Sequence, residues 1–439
     1  MLQRGSISFA SRPIAAAALW GLAIGCTGGS PETAAGASWV GTITTESDVT
    51  TVVNESGSVW REGATLLEEA AIGVEAGDDP YMLGQVTGIA AHGDRIYVAD
   101  AQVPAIRAYD ASGTFVGNVG QEGGGPGEYR YPAGVVADAD GRIHSLDFMT
   151  GRVLVYSSAG EPEATTMPLP CCRSESGLLL VSRDGDVFII GYWRRADVEA
   201  GDEAGEALIR GLLRFGLDGS RGEIIEQPDL PSTPVRMVAS DGRLVRNEPA
   251  PFQPQPVYAY APTGEMLAGF SDAYRFEVRY PDGRRMVIER AWEPEPVTFE
   301  EADAARRGAI AYMRQRDPEW QWNVEEIPDT KPPYFALAGG INGEAWVVRQ
   351  GVGGPIEDCT FDEEAVTEHD RTPCFHEPRI VDAFEPSGRF LGSFELPDDF
   401  RLDPRPWIDG ETVIARTEDE AGTIRVKRYR VAVSGGAPR

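Results

Sequence analysis

At 439 residues, with 69 Asp and Glu against 40 Lys and Arg, the chain carries a formal net charge of -29. Its 42% hydrophobic and 25% charged residues give the balance of a globular protein with enough apolar material for a large core, not that of a disordered one. So acidic a surface repels a phosphate backbone unless basic residues are segregated into a patch, and no such patch is found, which argues against nucleic acid as a partner.

In chain order, residues 1-25 read first, as a secretory signal peptide: Arg4 and Arg12, an apolar run from Ile14 to Ile24, then Gly25 before Cys26. That run is about half of the ~20 residues needed to span a bilayer. The Gly25-Cys26 step resembles the lipobox of bacterial lipoproteins, although Ala23 stands where that pattern usually has Leu. The resemblance implies that Cys26 is lipidated and becomes the mature N-terminus. The protein is then expected in the bacterial cell envelope, touching the membrane only through its N-terminal lipid; plain secretion with a free Cys26 is the other reading. Thr27, by analogy with lipoprotein sorting, points to the outer membrane, facing periplasm or cell surface. Residues 26-45, rich in Gly, Ala, Ser and Thr, are expected to be a flexible tether.

From residue 46 to 434 the chain repeats itself. A turn dipeptide followed by a β-rich run recurs six times: HGDRIYVAD at Gly93, DGRIHSLD at Gly141, DGDVFIIG at Gly185, DGRLVRNE at Gly242, NGEAWVVR at Gly343 and DGETVIAR at Gly410. Asp-Gly and Asn-Gly favour tight hairpin turns because they tolerate positive φ. Between these lies a second spacing, an aromatic residue with glycine four positions on, at Tyr109, Tyr156, Phe215, Tyr260 and Phe384. Two hairpins make a four-stranded unit, and six such units predict an all-β, six-bladed β-propeller of antiparallel blades. The turn glycines are 48, 44, 57, 101 and 67 residues apart. A blade takes about 40 to 50, so inserts are expected near 194-208, 272-333 and 351-378. The sixth unit has only three strands after Gly410, and the run from Val49 to Asn54 is the expected fourth, pinning the chain ends together.

The segment GQEGGGPGEYRYP from Gly120 to Pro132, followed by GVVADADGRIHSLD and a hairpin ending in VLVYSSAGE, resembles the NHL-like six-bladed propeller lipoproteins of bacteria. The resemblance covers about Val49 to Val433 and implies architecture, not an activity. The glycines at 123-127 lack a Walker lysine and sit between strands, so a structural turn is expected there.

Because strands alternate in direction, the three inserts fall on one face of the disc, the expected binding face. The 272-333 insert places a helix in the connection from blade 4 to blade 5. Thr298 and Glu301 form its capping box, and Phe299, Ala302, Ala305, Ala309, Tyr312 and Met313 share a face. Whether this insert moves as a lid is open. Trp320 and Trp322 beside it are placed to stack on a ligand or to hold the insert down. Asp100, Asp147, Arg194, Arg195, Glu248, Arg349 and Arg416 follow second strands and are the candidate ligand-face residues.

Cys359 and Cys374 bound one insert and are the candidate disulfide; adjacent Cys171 and Cys172 stay undecided between a vicinal bridge and thiols. A zinc set of Cys359, His369, Cys374 and His376 matches no standard spacing. Oxygen ligands suit calcium, and Asp100 and Asp147 occupy equivalent places in blades 1 and 2, so calcium is the cofactor left open. No GxSxG, HExxH or Walker motif is present, and no catalytic residue is assigned. The expected function is a monomeric binding or scaffold module for a protein, peptide or glycan, more in keeping with a non-enzyme. The rival is a metal-assisted hydrolase, lactonase or lyase at the central channel.

Overall fold

The computed structural model describes residues 37-165, 174-193, 208-218, 220-324, 327-364, 366 and 372-434. Cys26, Cys171, Cys172, Arg194, Arg195 and His369 lie outside them. Blade 1 is the meander Val86–His92, Arg95–Asp100, Ala105–Asp110 and Phe115–Asn118. Blade 2 is Pro132–Ala137, Ile143–Asp147, Arg152–Tyr156 and Pro162–Thr165; blade 3 is Ser174–Val181, Val187–Trp193, Ile209–Phe215 and Arg221–Glu226. Pro256–Tyr260, Met266–Phe270, Arg275–Arg279 and Arg285–Arg290 form blade 4; Ala336–Gly339, Ala345–Gln350, Arg379–Phe384 and Phe390–Glu395 form blade 5. Blade 6 has Trp407–Ile408, Thr412–Glu418 and Ile424–Val433, and takes its outermost strand, Ala64–Ile72, from the other end of the chain.

The period of two explains why such strands stack as a ring. Along Arg95–Asp100, Ile96 and Val98 face blade 6 while Tyr97 and Ala99 face blade 2, so both sides are buried. Apolar clusters of this kind fill all six interfaces between neighbouring blades, the one between blades 6 and 1 included. Near the axis the blades nearly touch: a Cβ on Gly88 would lie 2.6 Å from the Val135 amide nitrogen of blade 2. The innermost strands are also laced together. Thr87 Oγ1 donates to the Pro132 carbonyl (2.6 Å), the Val181 amide to Pro262 (2.9 Å), and the Ile341 amide to Ile408 (2.8 Å).

Two expectations are corrected. The hairpin at Gly242, Arg236–Ser240 with Val245–Pro249, is not a blade element. Blade 4 turns instead at Gly264 (φ +97°) and at Asp282-Gly283, so the supposed 272-333 insert contains two blade strands, and the true connection starts at residue 291. Asp-Gly chemistry specifies a hairpin but not its place in the ring. Burial assigns it: Val257, Tyr260, Met266 and Leu267 are enclosed between blades, whereas Val238, Leu244 and Val245 stand exposed.

The second correction concerns closure. Val49–Ser56 does not complete blade 6; it adds in parallel to Arg285–Arg290 at the rim of blade 4, with Val40–Glu46 outside it. Residues 40-45, expected in the tether, are therefore strand. The closing strand is Ala64–Ile72, whose Ala, Leu and Glu content favours helix in isolation. Charge selects its partner: Lys427 meets Glu68 at 3.1 Å, and Arg428 and Arg430 meet Glu69 at 2.9 and 3.0 Å. Between the two strands the chain crosses the edge of blade 5, where the Trp60 amide donates to Leu391 (2.7 Å). Asn54 rivets the crossing. Its Oδ1 accepts from Trp39 Nε1 (2.7 Å) and the Phe390 amide (2.8 Å), and its Nδ2 donates to Glu289 (3.1 Å) and Gly388 (3.2 Å).

The closing role of Ala64–Ile72 has a direct test in two truncations followed by thermal unfolding. A chain beginning at Gly63 keeps the strand and is expected to melt cooperatively at a lowered Tm. One beginning at Gly73 loses it and is expected to show no cooperative transition.

Candidate functional site

Innermost strands run from one face of the disc to the other, and the alternation of strands sends every long connection to a single face. Three connections there build a cap: the hairpin Arg236–Ser240 and Val245–Pro249, the helix α1 (Phe299–Arg314), and the loop between Gln350 and Arg379. Met237, Ala239, Ala309, Met313, Trp320 and Val366 form its core. The capping box of α1 is present, with Thr298 Oγ1 accepting from the Glu301 amide at 3.2 Å. Phe299 differs from expectation, being 82% exposed at the first turn.

Trp320 and Trp322 act inside this cap as packing. Trp320 is buried, donates from Nε1 to Val238 (2.8 Å) and meets Trp322 edge-on at 6.4 Å. Arg306 lies 5.5 Å from the Trp322 ring centre. Cys359 and Cys374 are joined as a disulfide, Cα to Cα 5.4 Å, so neither is available as a thiolate ligand. Glu248 lies half-buried on the cap hairpin, not at the end of a blade strand.

Beneath the cap lies a group that the sequence did not reveal. Lys331 Nζ donates to Glu301 Oε1 (2.5 Å) and to the Gly351 carbonyl (2.6 Å), with Glu377 Oε1 at 3.4 Å. One ammonium thus serves two carboxylates, tying α1 to the blade 5 loop. Burial pushes Glu377 up, Lys331 pulls it down, and the hydrogen bond and charge of Glu301 push it up again, leaving it at about 7.

Beside the cap, on the sector with no large insert, a cleft of about 270 Å³ opens among blades 6, 1 and 2. Gln85, Thr87, Tyr131, Asp403, Pro404 and Arg416 line it. Each comes from a segment entering an innermost strand or, for Arg416, from the second strand of blade 6. Asp100 and Asp147 support this cleft without lining it. Asp100 is fully buried; it accepts from the Gly84 (2.9 Å), Gln85 (3.0 Å) and Gln102 (3.0 Å) amides and pairs with Arg107 at 3.1 Å. Asp147, equally buried, accepts from the Tyr131 amide (2.9 Å), the Met149 amide (3.3 Å) and Thr150 Oγ1 (2.6 Å). Their oxygens fasten the entering loops and are turned away from any surface ligand. The proposed calcium pair therefore has its lone pairs engaged within the fold, and removing Asp100 would strand a buried Arg107, a change that costs about 3-5 kcal/mol.

The remaining candidates divide. Arg416 reaches the cleft, bonded to Glu418 and to the Asp403 carbonyl (3.3 Å), with its Nε buried and without a partner. Arg349 is held away from it by Asp382 (3.4 Å) and Glu295 (3.2 Å), over the Trp292 ring. At the cleft, Tyr131 packs on Phe148 at 5.8 Å, and Phe148 and Met149 are exposed. Among the described residues no group of three His, Cys, Asp or Glu side chains is gathered as metal ligands. The glycines at 123-127 form a turn, held by Glu128 on the Gly125 amide (2.7 Å) and by Tyr156 on the Gly127 carbonyl (3.1 Å).

Residues 72-184 match the model of the family DUF5128, described as a 6-bladed beta-propeller. The match covers blades 1 and 2 and the opening of blade 3. A comparison with the curated proteins finds no match. Among solved structures, the chain is similar to a putative exported protein of Bacteroides fragilis NCTC 9343, at 10% identity and TM-score 0.41 over 87% of this chain and 99% of the other. A DUF4221 family member of Bacteroides vulgatus shows 8% identity and TM-score 0.43 over 85% and 99%. A gluconolactonase of Xanthomonas campestris shows 12% identity and TM-score 0.36 over 80% and 87%.

The Lys331 group predicts a pH dependence. A carboxyl raised to about 7 when folded contributes stability that is complete below its unfolded value near 4.5 and is lost as pH rises through about 7. Glu377→Gln fixes the uncharged form. Its Tm is expected to exceed that of the parent at pH 8, with the advantage gone by pH 4.5, as thermal melts across that range will read.

Proposed function

We propose that this propeller is a binding module of the bacterial cell envelope, anchored by lipid at Cys26, and that the cleft among blades 6, 1 and 2 takes an extended peptide segment of a partner protein. The supporting observation is the make-up of that cleft. A guanidinium, Arg416, and the backbone of Gly84 to Thr87 stand with Tyr131 in the cleft wall, and Tyr131 packs on Phe148, which is exposed together with its neighbour Met149. An arginine in the wall of a cleft suits a carboxylate, and partly exposed aromatic and Met side chains suit the apolar anchors of a peptide. Buried carboxylates beneath hold the loops still, so the surface is organised before a ligand arrives. The net charge of -29 favours a neutral or basic partner surface around the contact.

The reading predicts that a chain starting at Gly36 selects peptides over glycans on arrays, and that Arg416→Ala or a Phe148→Ser, Met149→Ser double variant weakens the selected peptides about tenfold or more at unchanged Tm. Equal binding by the variants, selection of glycans alone, or lactone hydrolysis that Arg416→Ala abolishes would each overturn it. For the anchor, Cys26→Ser is expected to abolish metabolic labelling with a radioactive fatty acid and to shift the protein from the membrane to the soluble fraction. Unchanged labelling and fractionation would remove the lipoprotein assignment.

A further inference from the structure

Arg405 follows Pro404 into blade 6, and its side chain crosses the axis of the ring. Nη1 donates to the Tyr260 carbonyl (3.2 Å) of blade 4 and Nη2 to the Leu179 carbonyl (3.1 Å) of blade 3. Blade 3 stands diametrically opposite blade 6 in a ring of six, so the side chain spans the passage as a crossbar. Its acceptors have a simple origin. Each innermost strand turns an unpaired edge towards the axis, and carbonyls on that edge lack a ladder partner.

Both acceptors are neutral, whereas the guanidinium is not. Among the described residues no carboxylate forms an ion pair with Arg405, and burial alone acts on it, lowering it to about 10, which leaves it cationic at neutral pH. Only two of its five N–H donors are engaged. The residue keeps some contact with solvent, so its free donors are open to a small ligand. Burial opposes a cation that has no counter-charge, and arginine forks match small planar or spherical anions closely.

We propose that the axial channel holds a small anion, a carboxylate or an inorganic ion, against the free donors of Arg405. The site stands on the crossbar geometry and is independent of the peptide reading of the outer cleft. It gives the acidic protein one cationic point at its centre, where a ligand is shielded from the surface charge.

The test is thermal unfolding of the full soluble chain at constant ionic strength, with chloride, formate or phosphate replacing a bulky sulfonate anion. At least one small anion is expected to raise the Tm saturably by ~2 °C or more, and its identity tells a halide site from a carboxylate or oxyanion site. Arg405→Gln is expected to melt lower and to lose that response. The same response in the variant, or none in the parent, overturns the site. Should Arg405→Gln not fold, crystals of the parent soaked in bromide decide: an anomalous peak within hydrogen-bonding reach of the guanidinium supports the site, and an empty channel rejects it.

Discussion

A ring of sheets is stable only if its last interface is made, and here that interface depends on one antiparallel pairing between strands at opposite ends of the chain. Ala64–Ile72 and Ile424–Val433 form eight residue pairs, and ion pairs from Glu68 and Glu69 to Lys427, Arg428 and Arg430 favour this partnership. The pairing completes blade 6 and, through Ile72 and Val426, the apolar cluster shared with blade 1. Upstream of it, Val49–Ser56 and the Asn54 rivet tie the same N-terminal run to blades 4 and 5. Three consecutive blades are thus bound at the rim by a single stretch of about thirty residues, a role that blade-to-blade packing alone does not supply.

Closing the ring also fixes where variation is tolerated. The short turns at Gly93, Gly141, Gly343 and Gly410 sit on one face, and the long connections sit on the other. Growth of those connections made the cap over one sector and left the cleft open in another. The carboxylates at the ends of the second strands of blades 1 and 2 belong to this economy of loops. Asp100 and Asp147 recur because each entering loop offers amides that need acceptors, and a buried acceptor satisfied three or four times is a scaffold element.

How much of this could be read from the sequence varies with the range of the interaction. Turn dipeptides and period-2 runs are local, so the six-bladed ring, the hairpins of blades 1, 2, 3 and 5, the capping box at Thr298 and the Cys359 to Cys374 closure were all legible. Gly242 misled because an Asp-Gly turn is the same inside and outside the ring, while the real blade 4 turn at Gly264 bears Pro and Thr. Ala64–Ile72 was hidden by helix-favouring residues, although the cations of IRVKRYRV, unusual in so acidic a chain, called for an acidic neighbour. Asp100 and Asp147 could be read only as candidate ligand-face residues, because burial and the partners of a carboxylate are not visible in a single sequence. Lys331, Glu301 and Glu377, and the crossbar from Arg405 to Leu179, join segments 30 to more than 200 residues apart that no local pattern links.

The closing pair also imposes an order in time. Ala64–Ile72 leaves the ribosome, and any export channel, more than 350 residues before the strand that it joins. Until Ile424–Val433 arrives, the early blades hold an open flank: the apolar residues of blade 1 that will face blade 6, among them Ile96 and Val98, have no cover, and Ala64–Ile72 has no partner. Such a long wait for a distant contact is slow and exposes sticky surface. Ring closure therefore waits for the last strand, and a nascent chain that stops short of it leaves both the flank of blade 1 and the strand Ala64–Ile72 without their partners.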